Sequence, residues 1–117
     1  FAHALENELN YKIRHGEAVS VGLLMAMKLS FNLGYATKND FNLLENHLKR
    51  SNLPTKLKDL SNKKKWLSKN ILKKIEKDKK SFKGNIRFIL CRGIGATFIK
   101  KNIDKTIVKK TIEEFII

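Results

Sequence analysis

The nearly continuous apolar stretch "AVSVGLLMAM" at residues 18–27 constrains the fold of this chain most, because it needs cover on almost every side. A helix that is apolar all round is a buried one. The stretch ends at Lys28 and is too short to span a bilayer, so we expect no membrane segment. We therefore predict a buried helix from about His15 to about Leu33, with Gly34 positioned to end it in a left-handed conformation.

Further helices are predicted on both sides of this one. Residues 2–9 and 66–75 place apolar side chains at helical spacing. A capping box that begins at Thr37, with Asp in place of Glu, predicts a helix that ends near Arg50. Asp104 can cap a last amphipathic helix.

A different pattern occupies residues 85–102, where β-branched and aromatic residues flank Gly93-Ile94-Gly95. This pattern is typical of a short hairpin. With no Gly-rich or Pro-rich linker in 117 residues, the chain has the length of one domain. The prediction is one mainly α domain over residues 1–117, with at least four helices and one small β-hairpin near residues 86–100.

The formal net charge of +14 raises the question of a polyanionic partner. Basic side chains that neutralise phosphates supply most of the non-specific affinity for nucleic acid. Here Arg occurs at only four positions, and the other basic residues are Lys scattered among Asn and Ile. Bidentate contacts with phosphates and bases favour Arg. The pattern therefore favours a solvated surface, which includes Lys63 and Lys64, and leaves a basic helical nucleic-acid-binding module as an alternative.

Two histidines are candidates for chemistry. His3 lies on the first predicted helix and His15 opens the second, so a short connection could bring both to one cleft. Neutral imidazole is a common ligand of zinc-like metals. Two histidines twelve positions apart are nevertheless no metal motif, and each could be a cap or a surface residue. His47 is interpreted as a surface residue, and Cys91, as the single cysteine, has no partner for a disulfide within the chain.

Three motifs in order carry a resemblance to a known family. They are "FAHALE" at residues 1–6, "HGEAV" at 15–19, and "DKK" at 78–80 followed by Gly84, an apolar strand and the Ile94-Gly95 turn. In this order and with these gaps, the chain resembles the helical C-terminal domain of the 3-dehydroquinate synthase family. The similarity runs from residue 1 to about the last helix.

The resemblance implies roles for individual residues. His15 corresponds to a ligand of the catalytic divalent metal. His3 corresponds to a histidine that contacts substrate and takes part in proton transfer around its phosphate. Lys80 corresponds to a substrate-contacting lysine, with Lys79 as the less favoured alternative.

The resemblance also implies an activity. The family is a lyase that converts 3-deoxy-arabino-heptulosonate 7-phosphate to 3-dehydroquinate and phosphate, in the cytoplasmic shikimate pathway of aromatic amino acid biosynthesis. It uses NAD and a divalent metal, zinc or cobalt, and its full-length form is a homodimer. We expect the NAD-binding domain and further metal ligands to lie upstream of Phe1, and this chain alone to be inactive.

Two further functions remain open beside this expectation. A related sugar-phosphate cyclase or a metal-dependent polyol dehydrogenase would share the architecture but act on another substrate. The nucleic-acid-binding module is the second alternative. For the favoured function, we expect neither nucleic acid nor a membrane as a partner.

Overall fold

The computed structural model describes residues 1–81 and 86–116, and for residues 78–81 it describes the backbone alone. Within these residues the elements are α1 (Ala2–Glu8), α2 (His15–Asn32), α3 (Lys38–Arg50), α4 (Leu57–Leu60), α5 (Ser68–Ser81), β1 (Arg87–Cys91), β2 (Thr97–Lys101) and α6 (Lys105–Glu113). The predicted fold class, mainly α with one small hairpin, is confirmed.

Helix α2 is the centre of the fold, as its apolar sequence predicts. Val21, Leu24 and Met27 are buried, and α1, α3, α6 and β1 all pack against the helix. Within the apolar stretch at residues 18–27, Leu23 is the one exposed residue, with 52% of its surface accessible. Gly34 follows the helix with φ +86°, the left-handed conformation predicted for it. In the described part of the chain, no helix combines the length and the apolar character that a membrane span requires.

Helix α1 depends on packing against the rest of the fold for its stability. With seven residues it is shorter than an isolated helix needs to be stable in water. Its buried Ala4 and Leu5 join the core, and α1 packs against α2 and α5. A Cβ atom built on Gly22 would lie 2.9 Å from the backbone nitrogen of Ala2. The glycine therefore lets the two helix backbones approach closely.

Local capping signals fix the ends of two helices. At the start of α3, the Asp40 N–H donates to Thr37 Oγ1 at 3.1 Å, and the Thr37 N–H donates to Asp40 Oδ2 at 2.9 Å. These hydrogen bonds to Thr37 hold the pKa of the Asp40 carboxyl below its usual value. At the start of α6, the Thr106 N–H donates to Asp104 Oδ1 at 2.8 Å. Both predicted caps are confirmed.

Lys64 corrects the prediction of a wholly solvated lysine surface. Its ammonium lies 3.1 Å from Glu8 Oε1, with side chains 29% and 10% exposed, respectively. The same ammonium lies 5.8 Å from the centre of the Trp66 ring. Lys64 therefore neutralises a carboxylate that the packing of α1 has largely removed from water, whereas Lys63 is exposed as predicted.

The hairpin closes over α2. Its strands pair antiparallel with Ile89 opposite Ile99, and the turn between them contains Gly93 at φ +139° and Gly95 at φ +82°. The Cys91 N–H donates to Ser30 Oγ at 2.9 Å, which ties β1 to α2. Burial, and after it the negative charge of Asp40, raises the pKa of the Cys91 thiol.

Candidate functional site

A tight connection brings the end of α1 beside the start of α2. Asn10 and Tyr11 both adopt left-handed backbone conformations, with φ +53° and +58°. The Tyr11 N–H donates to the carbonyl oxygen of Glu6 at 2.8 Å, so the chain turns back over the helix that it has just left. His15 follows as the first residue of α2. The connection therefore carries a histidine back to the side chains of α1.

His15 meets a carboxylate there. Its Nδ1 atom lies 3.1 Å from Oε1 of Glu6. The imidazole is 76% exposed, whereas the Glu6 side chain is only 14% exposed. The ring thus stands at the surface while the group that holds it is anchored by the fold.

His3 lies on α1 as predicted, and its residue is exposed. It precedes Glu6 by three positions, a spacing that makes side chains neighbours on one helix face. The centre of its ring is 6.3 Å from that of Tyr11, which belongs to the connection before His15. His3 therefore lies near the connection that leads from α1 to the pair formed by His15 and Glu6.

The predicted lysines are placed only in part. Lys79 and Lys80 belong to the backbone of α5, but their side chains lie outside the described residues, as does Gly84. Helix α5 packs against α1, the helix that carries His3. The structure thus shows that both lysines belong to α5, while the contact of Lys80 with substrate stays a prediction.

His15 is chemically suited to bind a metal, but the described residues do not supply the further ligands of a complete site. Neutral imidazole is a preferred ligand of zinc-like ions, and a catalytic site of this kind uses about three protein ligands. Across residues 1–77 and 86–116, no group of three or more His, Cys, Asp or Glu side chains is arranged to hold a metal ion. Glu6 is a residue that sequence reasoning missed, although the turn-forming Asn10 and the short connection were visible signals.

The comparisons with known proteins bear on these residues. A family model described as 3-dehydroquinate synthase C-terminal matches residues 1–81. The chain belongs to this family. The matched residues include the three predicted site residues, His3, His15 and Lys80. The predicted family is confirmed.

Full-length members of the 3-dehydroquinate synthase family show the same relationship. The 3-dehydroquinate synthase of Bartonella tribocorum is 36% identical over 121 residues, which cover 97% of this chain and 31% of that protein. The 3-dehydroquinate synthase of Endomicrobium trichonymphae is 40% identical over 113 residues, which cover 93% of this chain and 29% of that protein. The chain thus spans less than a third of the length of these relatives.

A solved structure agrees with the fold of this family member. The crystal structure of 2-deoxy-scyllo-inosose synthase, complexed with carbaglucose-6-phosphate, NAD⁺ and Co²⁺, matches with a TM-score of 0.76 and 25% identity. The match covers 97% of this chain and 31% of that chain. The 3-dehydroquinate synthase-like fold is therefore shared with an enzyme that binds a sugar-phosphate analogue.

Proposed function

We propose that residues 1–117 form the metal- and substrate-binding C-terminal domain of a 3-dehydroquinate synthase. The full-length enzyme converts 3-deoxy-arabino-heptulosonate 7-phosphate to 3-dehydroquinate and phosphate, and depends on NAD and a divalent metal. The observation that carries the proposal is the family match over residues 1–81. Within these residues His15 contacts Glu6, and His3 lies near Tyr11 of the connection that leads to His15. The family resemblance further supports a cytoplasmic homodimer.

In this proposal His15 supplies one ligand of the metal. The exposed imidazole fits that role, because Glu6 contacts one ring nitrogen and the other nitrogen is left to bind the metal. When bound, a divalent metal polarises hydroxyl and carbonyl oxygens of the substrate. Among residues 1–77 and 86–116, no group of three suitable side chains is arranged around a metal. In this proposal the remaining ligands and the NAD site therefore belong to other parts of the enzyme.

The other two site residues act on the substrate in this proposal. His3 contacts the substrate and takes part in proton transfer around its phosphate; the family resemblance and its exposed position on α1 support this role. The positively charged side chain of Lys80 binds the substrate, with Lys79 as the alternative. A lysine ammonium suits a phosphate or carboxylate as a point charge.

A second candidate function is that of a related sugar-phosphate cyclase. The observation that favours it is the structural match to 2-deoxy-scyllo-inosose synthase, which was solved with a glucose 6-phosphate analogue. In this second candidate His15 keeps its proposed role as a metal ligand, and the two candidates differ in their substrate. Assaying the full-length enzyme with the heptulosonate phosphate and with glucose 6-phosphate distinguishes them.

The deciding experiment replaces His15 by alanine in the full-length enzyme and measures bound metal beside phosphate release. We expect the loss of most of the metal and most of the activity. His47→Ala is the matched control, because His47 is also exposed but lies on α3. A His15→Ala enzyme that kept both its metal and its rate would refute the proposed role.

A further inference from the structure

We propose that Glu6 is a positioning residue that holds His15 in the one neutral tautomer able to bind a metal through Nε2. The inference rests on the proposed function, in which His15 is a metal ligand. It adds a residue to the site on the basis of a single contact, the 3.1 Å approach of Glu6 Oε1 to His15 Nδ1.

The chemistry of the two groups determines where the proton lies. An ionised carboxylate can only accept hydrogen bonds, so the hydrogen in this contact belongs to Nδ1. A neutral imidazole carries one N–H, and the other nitrogen then presents a lone pair. With the proton on Nδ1, the lone pair is on Nε2, and that atom becomes the metal donor.

The burial of the two side chains indicates which one directs the other. The Glu6 side chain is only 14% exposed, so the packing around it restricts the positions that its carboxylate can take. The His15 side chain is 76% exposed, and its ring has no other hydrogen bond among the described residues. The anchored carboxylate therefore sets both the tautomer and the direction of a ring that would otherwise rotate in solvent.

Stability alone is a poor explanation for the contact. An ion pair with so exposed a partner contributes about 0–1 kcal/mol to folding. The carboxylate–histidine pair is, by contrast, the usual arrangement behind a metal-bound histidine, and its loss typically weakens metal binding about 10–100-fold. The two explanations differ in what Glu6 replacements do to the ring of His15.

The test uses the full-length, metal-free enzyme labelled with ¹⁵N-histidine at pH 8.5, about two units above the ordinary histidine pKa. The ¹⁵N shifts of the ring report its tautomer, and the His15 signals are those lost in His15→Ala. We expect the Nδ1–H form in the wild type and a shift toward the Nε2–H form in Glu6→Ala. Glu17→Ala, which removes a carboxylate from the first turn of the same helix, is the control and leaves the tautomer unchanged.

A Co²⁺ titration of the same proteins provides the second readout. Glu6→Ala should weaken Co²⁺ binding about 10–100-fold, and Glu17→Ala should not. Glu6→Gln keeps the shape of the side chain, so it guards against misfolding of the alanine variant. The amide of this variant can accept from Nδ1–H, as the carboxylate does, but it can also donate to Nδ1. Glu6→Gln should therefore change both the tautomer and Co²⁺ binding, each by less than Glu6→Ala does.

Each outcome separates this inference from the function on which it rests. If His15→Ala abolishes Co²⁺ binding while both Glu6 variants keep the wild-type tautomer and affinity, the positioning role is wrong and the metal-ligand role stands. If His15→Ala leaves Co²⁺ binding intact, the proposed function itself fails.

Discussion

Gly22 is the point at which one added methyl group should disturb the packing of α1 against α2. In Gly22→Ala the new Cβ would lie 2.9 Å from the backbone nitrogen of Ala2 and 3.1 Å from its Cβ. Overpacking of this kind costs about 1–3 kcal/mol. Alanine regains at most about 1 kcal/mol through its higher helix propensity. Because the nearest atom belongs to the backbone and cannot rotate away, we expect a net loss of about 1–2 kcal/mol.

A thermal melt against a matched variant measures this loss. An unfolding entropy of about 2.1 cal/mol/K per residue makes 1 kcal/mol equivalent to about 4 °C for 117 residues. Gly22→Ala should therefore melt about 4–8 °C below the wild type. Gly16, in the first turn of the same helix, has no atom within 4 Å of an added Cβ, so Gly16→Ala should melt at or slightly above the wild type. Equal melting temperatures for the two variants would refute the close-approach argument.

The remaining predictions concern charge. Lys64→Ala should lower the free energy of unfolding by about 1–2 kcal/mol, less than a fully buried pair would because the lysine is part exposed. Lys63→Ala should change it by less than about 0.5 kcal/mol, and equal denaturant midpoints for the two would contradict the pairing with Glu8. Cys91 should react with iodoacetamide more slowly at pH 8 than an unperturbed thiol, because its raised pKa leaves less thiolate. Asp40→Asn should move the pH–rate profile to lower pH, and an unmoved profile would exclude the charge of Asp40 as a cause.

The elements that could be predicted from sequence are those with a local physical cause. The burial of α2 follows from its own apolar residues, and the starts of α3 and α6 follow from side chains that cap neighbouring N–H groups. Helix α4 was not predicted, since it is a single turn of four residues. It is stabilised by the Asp59 carboxylate, which accepts from the Thr55 and Lys56 N–H groups.

The contacts that sequence reasoning missed join residues that only the folded backbone brings together. Lys64 reads as one more surface lysine until α1 places Glu8 beside it. Glu6 reads as the end of a motif until two left-handed residues return the chain toward it. The histidines, in contrast, were found because the family motifs mark them, and their spacing alone left their role open.

The hydrogen bond between Cys91 and Ser30 also affects how this protein meets its neighbours. The Arg92 N–H donates across the hairpin to Ala96, so the Cys91 N–H, one residue earlier, points to the outer edge of β1. Helix α2 covers that edge through Ser30. The opposite strand, β2, ends in Lys100 and Lys101, charges of the kind that discourage a further strand from pairing at a sheet edge. A hairpin with exposed isoleucines on its face is thus protected along its edges against growth into a larger, aggregating sheet.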